Sequence, residues 1–303
     1  MKLTNDIITI EVSEHGAELA SLVCNGREYL WQADAKYWKR HSPVLFPIVG
    51  AVWNGEYRSH GNTYKLSQHG FARDMDFRLL DKDEHSVFYV LESSADTKQK
   101  YPYDFRLEIG YRIVDNRVRV IWKVRNLGTE TMAFQIGAHP AFYWPMLSGD
   151  AIRSGVVAME SELSATKKRG CFQLDSATDV LPISVITEGG CVGKQSEIEL
   201  SKGGYLQLDT DSFDNDAIII ENSLVQKVTL CDDDRKPYLS LEFASPLVGL
   251  WSPPKKNAPF VCIEPWYGRT DPAGYDGQYE DKPWIQKLDS GKVFEAEYDI
   301  IVE

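Results

Sequence analysis

The strongest constraint in this sequence is a period of two. In FRLEIGYRI, Phe105, Leu107, Ile109, Tyr111 and Ile113 fall on one face, while Arg106, Glu108 and Arg112 fall on the other. In RVRVIWKVR, Val118, Val120, Trp122 and Val124 oppose Arg117, Arg119, Lys123 and Arg125, and FEAEYDIIV places Phe294, Ala296, Tyr298, Ile300 and Val302 together. Such strands bury one face and wet the other, as antiparallel sheets do. VDNR, with Asn116 in the turn, reads as a hairpin joining the first two.

Further strand candidates are IITIEV, ELASLVC, EYLW, SVFYVLE, MAFQIGA, AIIIEN, KVTLC, LSLEFA and LVGLWS, most of them separated by Gly, Asn, Asp or Pro. Helical signal is sparse. SSADTKQKYPY has room for a turn or two, capped by Ser94 and stopped by Pro102, whereas LSGDAIRSG and WSPPKKNAP read as loops. Many strands with few helices predict an all-β chain, a large antiparallel β-sandwich, with residues 1–303 as a single domain. Side chains fill a sandwich core, so a ligand site belongs on a sheet face or at its rim.

The formal net charge of -12 argues against nucleic-acid and anionic-membrane partners, which call for basic patches. MKLTNDIITIEV lacks the apolar core of a secretory signal, and no segment approaches the length of a membrane span. The five cysteines are scattered without zinc-type spacing, which implies neither disulfide nor metal. A cytoplasmic monomer or homodimer that needs no cofactor is the expectation.

Four segments carry chemistry. In PFVCIEPWYGRTD an apolar run ends on Glu264, with Trp266 close behind, and Pro265 is expected to stop the strand there. A carboxylate held at a strand end against an indole is a site for a tuned acid or base. QIGAHPAFYWP gives His139 the same syntax, a polar residue before a proline, with Phe142, Tyr143 and Trp144 following. QHGFARD offers His69 and Arg73, with Gly70 allowing close approach of backbone to a ligand. SFDNDAIII offers Asp214 and Asp216 at the entry to a strand. Taken singly, each also fits a blander role: a surface Glu, a turn or core His, an Asp turn. Together they supply acids, imidazoles, a guanidinium and aromatic faces, a set that suits a small polyhydroxylated ligand.

HGFAR, YPYDF followed by Tyr111, GAHPAF, CIEPW and PVLFPIVG occur in an order that resembles the aldose 1-epimerase (galactose mutarotase-like) family, closest to its shorter bacterial branch. The resemblance spans nearly the whole chain and implies a β-supersandwich that interconverts the α and β anomers of a sugar without a cofactor. It makes Glu264 the general base, His139 the general acid and His69 a second site histidine at the ring oxygen or neighbouring hydroxyls. Asp216, or its neighbour Asp214, would bind sugar hydroxyls, with Arg40 and Trp266 also facing substrate. Arg73 matches an arginine that holds phosphate in the hexose-6-phosphate branch, although EPWYGRTD continues differently from that branch. An ionised Glu264 with a protonated His139 predicts a bell-shaped pH profile. Galactose, glucose, their 6-phosphates and less common aldoses or ketoses all fit. A glycoside hydrolase using Glu264 and Asp216, and a sugar-binding module without turnover, are the competing readings.

Overall fold

The computed structural model describes residues 1–145, 147–164 and 169–303. The alternating segments become the long strands Phe105–Val114 and Arg117–Asn126, paired antiparallel through the turn at Asp115 and Asn116. Val293–Val302 pairs with the second of them, and Asp299 lies directly opposite Arg119. These three are central in a nine-stranded antiparallel sheet. It runs outward through Pro237–Phe243, Lys227–Cys231, Cys171–Leu174 and Tyr205–Gln207 on one side, and through Ser86–Glu92 and Arg78–Lys82 on the other.

A second antiparallel sheet has eight strands. Val192–Glu199, Val180–Ile186, Ile218–Ile220, Leu247–Trp251 and Phe260–Tyr267 follow one another, and beyond them lie Ile136–Ala138 and Val44–Leu45. Ala141–Tyr143 also pairs with Phe260–Tyr267. A smaller sheet is built from the first 28 residues, Lys2–Thr4 to Arg27–Glu28. One hydrophobic cluster takes side chains from both large sheets and from the small one, Leu3 and Val302 among them. Burial of this apolar surface, at about 25 cal/mol per Å², is the principal force holding the sheets together. The predicted antiparallel sandwich is the fold observed.

Among the described residues, helix is confined to short pieces. Ala95–Lys98 is the turn expected after Ser94, whose hydroxyl accepts from Thr97 N–H in a reciprocal capping box. The LSGDAIRSG segment, expected as loop, is helical: Gly149–Ser154 is capped by Ser148, and Val156–Ser164 follows after Gly155. These helices pack Ala151, Met159 and Leu163 against Trp31, Tyr37 and Phe260 in a second cluster beside the smaller large sheet. No described helix is long and apolar enough to cross a membrane.

Candidate active site

The strand Phe260–Tyr267 has two unlike faces. Val261 and Ile263 enter the main core, while Cys262, Glu264 and Trp266 project from the opposite side of the sheet. Pro265 does not end this strand, contrary to the expectation from sequence; pairing continues to Trp266 on one side and to Tyr267 on the other. The reason is an interruption next door. Ile136–Ala138 pairs with the end of the strand and Ala141–Tyr143 with its beginning, leaving His139 and Pro140 as a link beside Glu264. Ile263 N–H points to that side and donates to Pro140 O at 3.3 Å. Two residues on, Pro265 faces the same way, so its missing amide hydrogen falls where the neighbouring ladder is broken. The two prolines thereby bring His139 and Glu264 together.

His139 Nε2 stands 3.3 Å from Glu264 Oε1, at the bottom of a cavity of about 440 Å³. Glu264, His139, His69, Arg73, Arg40, Asp216 and Trp266 all line it, although they come from five separated stretches of chain. Asp214 does not line it; its carboxylate accepts from Lys255 N–H, which separates the two aspartates by position. The Trp266 indole lies over two glycines of the flanking strands. A Cβ at Gly249 would meet the ring at 2.4 Å and one at Gly137 at 2.6 Å, so the floor of the cavity requires both. The scaffold itself requires Gly70: a Cβ there would stand 2.2 Å from the Phe46 carbonyl oxygen.

The aromatic lining differs from the one expected. Phe142 and Trp144 enter the main core and Tyr143 the second cluster. In their place Trp38 stacks on His139 at 4.7 Å between ring centroids, and Trp251 meets the imidazole edge-on at 5.2 Å. Tyr37, Gln68 and Lys256, which sequence reasoning passed over, also line the cavity, and Lys256 is fixed by donating to the Tyr37 carbonyl. Nothing in the spacing of Trp38 or Trp251 along the chain marks either indole as part of the cavity.

Electrostatics sets the pair apart from ordinary surface groups. Burial drives the Glu264 carboxyl well above its usual range, the Asp216 charge adds to this, and the Trp266 N–H pulls the other way without reaching hydrogen-bonding geometry. Burial pushes His139 down to about 3; the Arg73 charge contributes, its own backbone opposes without reaching hydrogen-bonding geometry, and Arg40 adds a little more. His69 is held well below its usual value by burial, then by His139, Arg73 and Arg40. Burial thus disfavours the charged form of both imidazoles and of the Glu264 carboxylate, and so works against the ionised Glu264 and protonated His139 expected from sequence. Gly50 N–H donates to His69 Nδ1 at 3.1 Å, which leaves the ring proton on Nε2. Arg40 and Arg73 flank Asp74, Arg40 with a 2.7 Å contact, and burial with the neighbouring Arg40 charge lowers Arg73 to about 10. Glu264 Oε2 and His139 Nδ1 are buried without a hydrogen-bond partner among the described residues. Such atoms are costly unless something uses them.

Comparison with known proteins extends these observations. The sequence model of aldose 1-epimerase matches residues 1–271. The chromosomal LacX protein of Lactococcus lactis subsp. lactis is 31% identical over 311 residues, covering 100% of this chain and 99% of the relative, and its plasmid form matches equally. Among solved structures, a galactose mutarotase related enzyme from Lactobacillus acidophilus is 31% identical with a TM-score of 0.87, covering 100% of this chain and 97% of that one. A galactose mutarotase-like protein from Lactobacillus casei is 29% identical with a TM-score of 0.86 and covers 100% and 99%.

Proposed function

The chain belongs to the aldose 1-epimerase family, and on that premise we propose that it is an isomerase interconverting the α and β anomers of a hexose, free or phosphorylated, by acid–base ring opening. The observation that carries the reading is the 3.3 Å approach of His139 Nε2 to Glu264 Oε1 at the bottom of a cavity of ligand size. A core reaching from Leu3 to Val302 supports residues 1–303 acting as one domain.

In this reaction the sugar lies with an apolar face on Trp266. Glu264 takes the proton of the anomeric hydroxyl, His139 gives one to the ring oxygen, and the bond between C1 and that oxygen breaks to leave an aldehyde. Rotation about C1–C2 and the reverse transfers close the ring to the other anomer. The pair needs one proton between its two members. Sugar hydroxyls that donate to the carboxylate favour its ionised form and pass that proton across the 3.3 Å contact to His139. His69, with its proton on Nε2, donates to a sugar oxygen, and Asp216 accepts from hydroxyls. Arg40 and Arg73 at the mouth take an outer hydroxyl or a phosphate.

The test is an NMR saturation-exchange panel over free and 6-phosphorylated hexoses. Exchange above the uncatalysed rate is expected with at least one sugar, and its loss in both Glu264→Gln and His139→Asn ties it to the pair. No exchange with retained sugar affinity makes the chain a binding module. A His139→Asn variant that keeps activity favours a hydrolase built on Glu264 and Asp216. Because His139 is lowered to about 3, the acid limb of kcat/KM should fall far below 6.5, and an inflection near 6.5 counts against His139 as the titrating partner.

A further inference from the structure

Behind the proposed acid–base pair stands a third group with no part in ring opening, the Cys262 thiol. Cys262 and Glu264 share one face of their strand, and His139 reaches the same spot from the interrupted neighbour. One ligand atom from each of the three lies within 4.8 Å of the others, and all three residues are buried. We infer that Cys262, His139 and Glu264 form a site for a borderline or soft divalent cation, zinc or cadmium, whose occupation blocks the cavity.

The donor set selects the ion. One sulfur, one nitrogen and one oxygen suit zinc or cadmium, whereas magnesium and calcium take oxygen ligands. A tetrahedral zinc with bonds of ~2.0–2.3 Å holds its ligand atoms roughly 3.5 Å apart, so closing the site takes about 1 Å of movement or less at each. A second observation points the same way: Glu264 Oε2 is buried without a hydrogen-bond partner among the described residues. Trp38 stacked on the imidazole and Trp251 at its edge fix the ring. Glu264 and His139 line the cavity while Cys262 does not, so the ion would have protein behind it and an open fourth position toward the cavity. On binding, the thiol proton and any proton on Glu264 leave to solvent, and the carboxylate and imidazole are no longer free to move protons. That inhibitory consequence rests on the proposed function; the binding itself does not.

The test uses the full chain stripped of metal with a chelator and titrated with cadmium chloride, read by ultraviolet thiolate-to-cadmium charge-transfer absorption. One equivalent should saturate the band. Cys262→Ser should abolish the band, and His139→Asn should weaken cadmium binding at least about tenfold, the low end of what even outer-sphere changes do. Cys171 and Cys231 face each other across paired strands, so Cys231→Ser is the control and should keep the band. In parallel, zinc should slow anomer exchange in competition with sugar, and Cys262→Ser should keep exchange and resist zinc. If the serine variant folds poorly, Cys262→Ala serves in both measurements. A wild type without the band, a band that survives Cys262→Ser, or one that disappears with Cys231 overturns the site. A chain that binds cadmium through Cys262 yet shows no exchange refutes the proposed function and leaves the site standing.

Discussion

Asp299 and Glu264 are both buried carboxylates on strands central to a large sheet, and their surroundings drive them in opposite directions. Asp299 lies opposite Arg119 and accepts from Nε at 2.9 Å and from Nη2 at 3.0 Å, with Arg117 as a second partner. Burial alone would raise it, but the two guanidiniums more than offset that and hold it below the usual carboxylate range. Glu264 has an imidazole at 3.3 Å that burial keeps neutral, a second carboxylate nearby, and one oxygen without a partner. The sheet face spends its charges on each other; the cavity leaves them for a visitor. Polar groups left unsatisfied at a site trade stability for function.

The contrast can be broken most forcefully at Glu264. Glu264→Gln should reduce catalysed exchange by ~10²–10⁴-fold while raising stability by about 0.5–2 kcal/mol. The folded value is raised, so the stability Glu264 contributes is present below the unfolded value near 4.5 and is lost as pH rises. Thermal melts across pH should accordingly show the variant's advantage growing upward from there; equal melting curves at every pH would sink this account.

Acid separates the two regions next. His139 is lowered from 6.5 to about 3, so its share of stability is complete above 6.5 and is lost as pH falls toward the folded value. Between pH 6.5 and 4.5 that amounts to roughly 2–3 kcal/mol at 1.36 kcal/mol per unit, and His139→Asn should remove that portion of the slope in denaturant titrations. Asp299, lowered from 3.8, keeps its share until pH falls below that value, so the sheet face should hold where the cavity has already lost ground. Asp299→Asn at neutral pH should destabilise by about 1–2 kcal/mol, a figure discounted because both arginines are partly exposed, with kcat/KM unchanged. The smallest effect belongs to the exposed pair Lys123–Glu295, at 3.0 Å on the same sheet. Lys123→Ala should move stability by no more than ~0.5 kcal/mol, and a larger change would mean that the sheet-face charges act as one network.

These two regions were not equally legible. The alternation through Phe105–Val114 and Arg117–Asn126 fixes which side chains meet the core, because a strand has only two faces, and the buried pattern follows it closely. His139 and Glu264 were visible through their local syntax, a polar residue before proline, yet the purpose of Pro265 was not. Its strand continues because a different strand is interrupted, and a partner's break leaves no mark in the residues beside Pro265. The helices at Gly149–Ser154 and Val156–Ser164 escaped because they are short and their apolar residues serve a local cluster of mixed strands and loops. Trp38 and Trp251 escaped for a related reason: stacking on an imidazole is a property of three-dimensional neighbours, not of spacing along the chain.

The link of His139 and Pro140 also fixes how this chain is free to vary in length. Beyond it, Phe142 must turn into the main core while Ala141 and Tyr143 turn into the second cluster. One residue added or removed there would exchange those destinations and swing the imidazole off its carboxylate, so natural relatives should hold this joint at constant length while surface hairpins elsewhere lengthen and shorten.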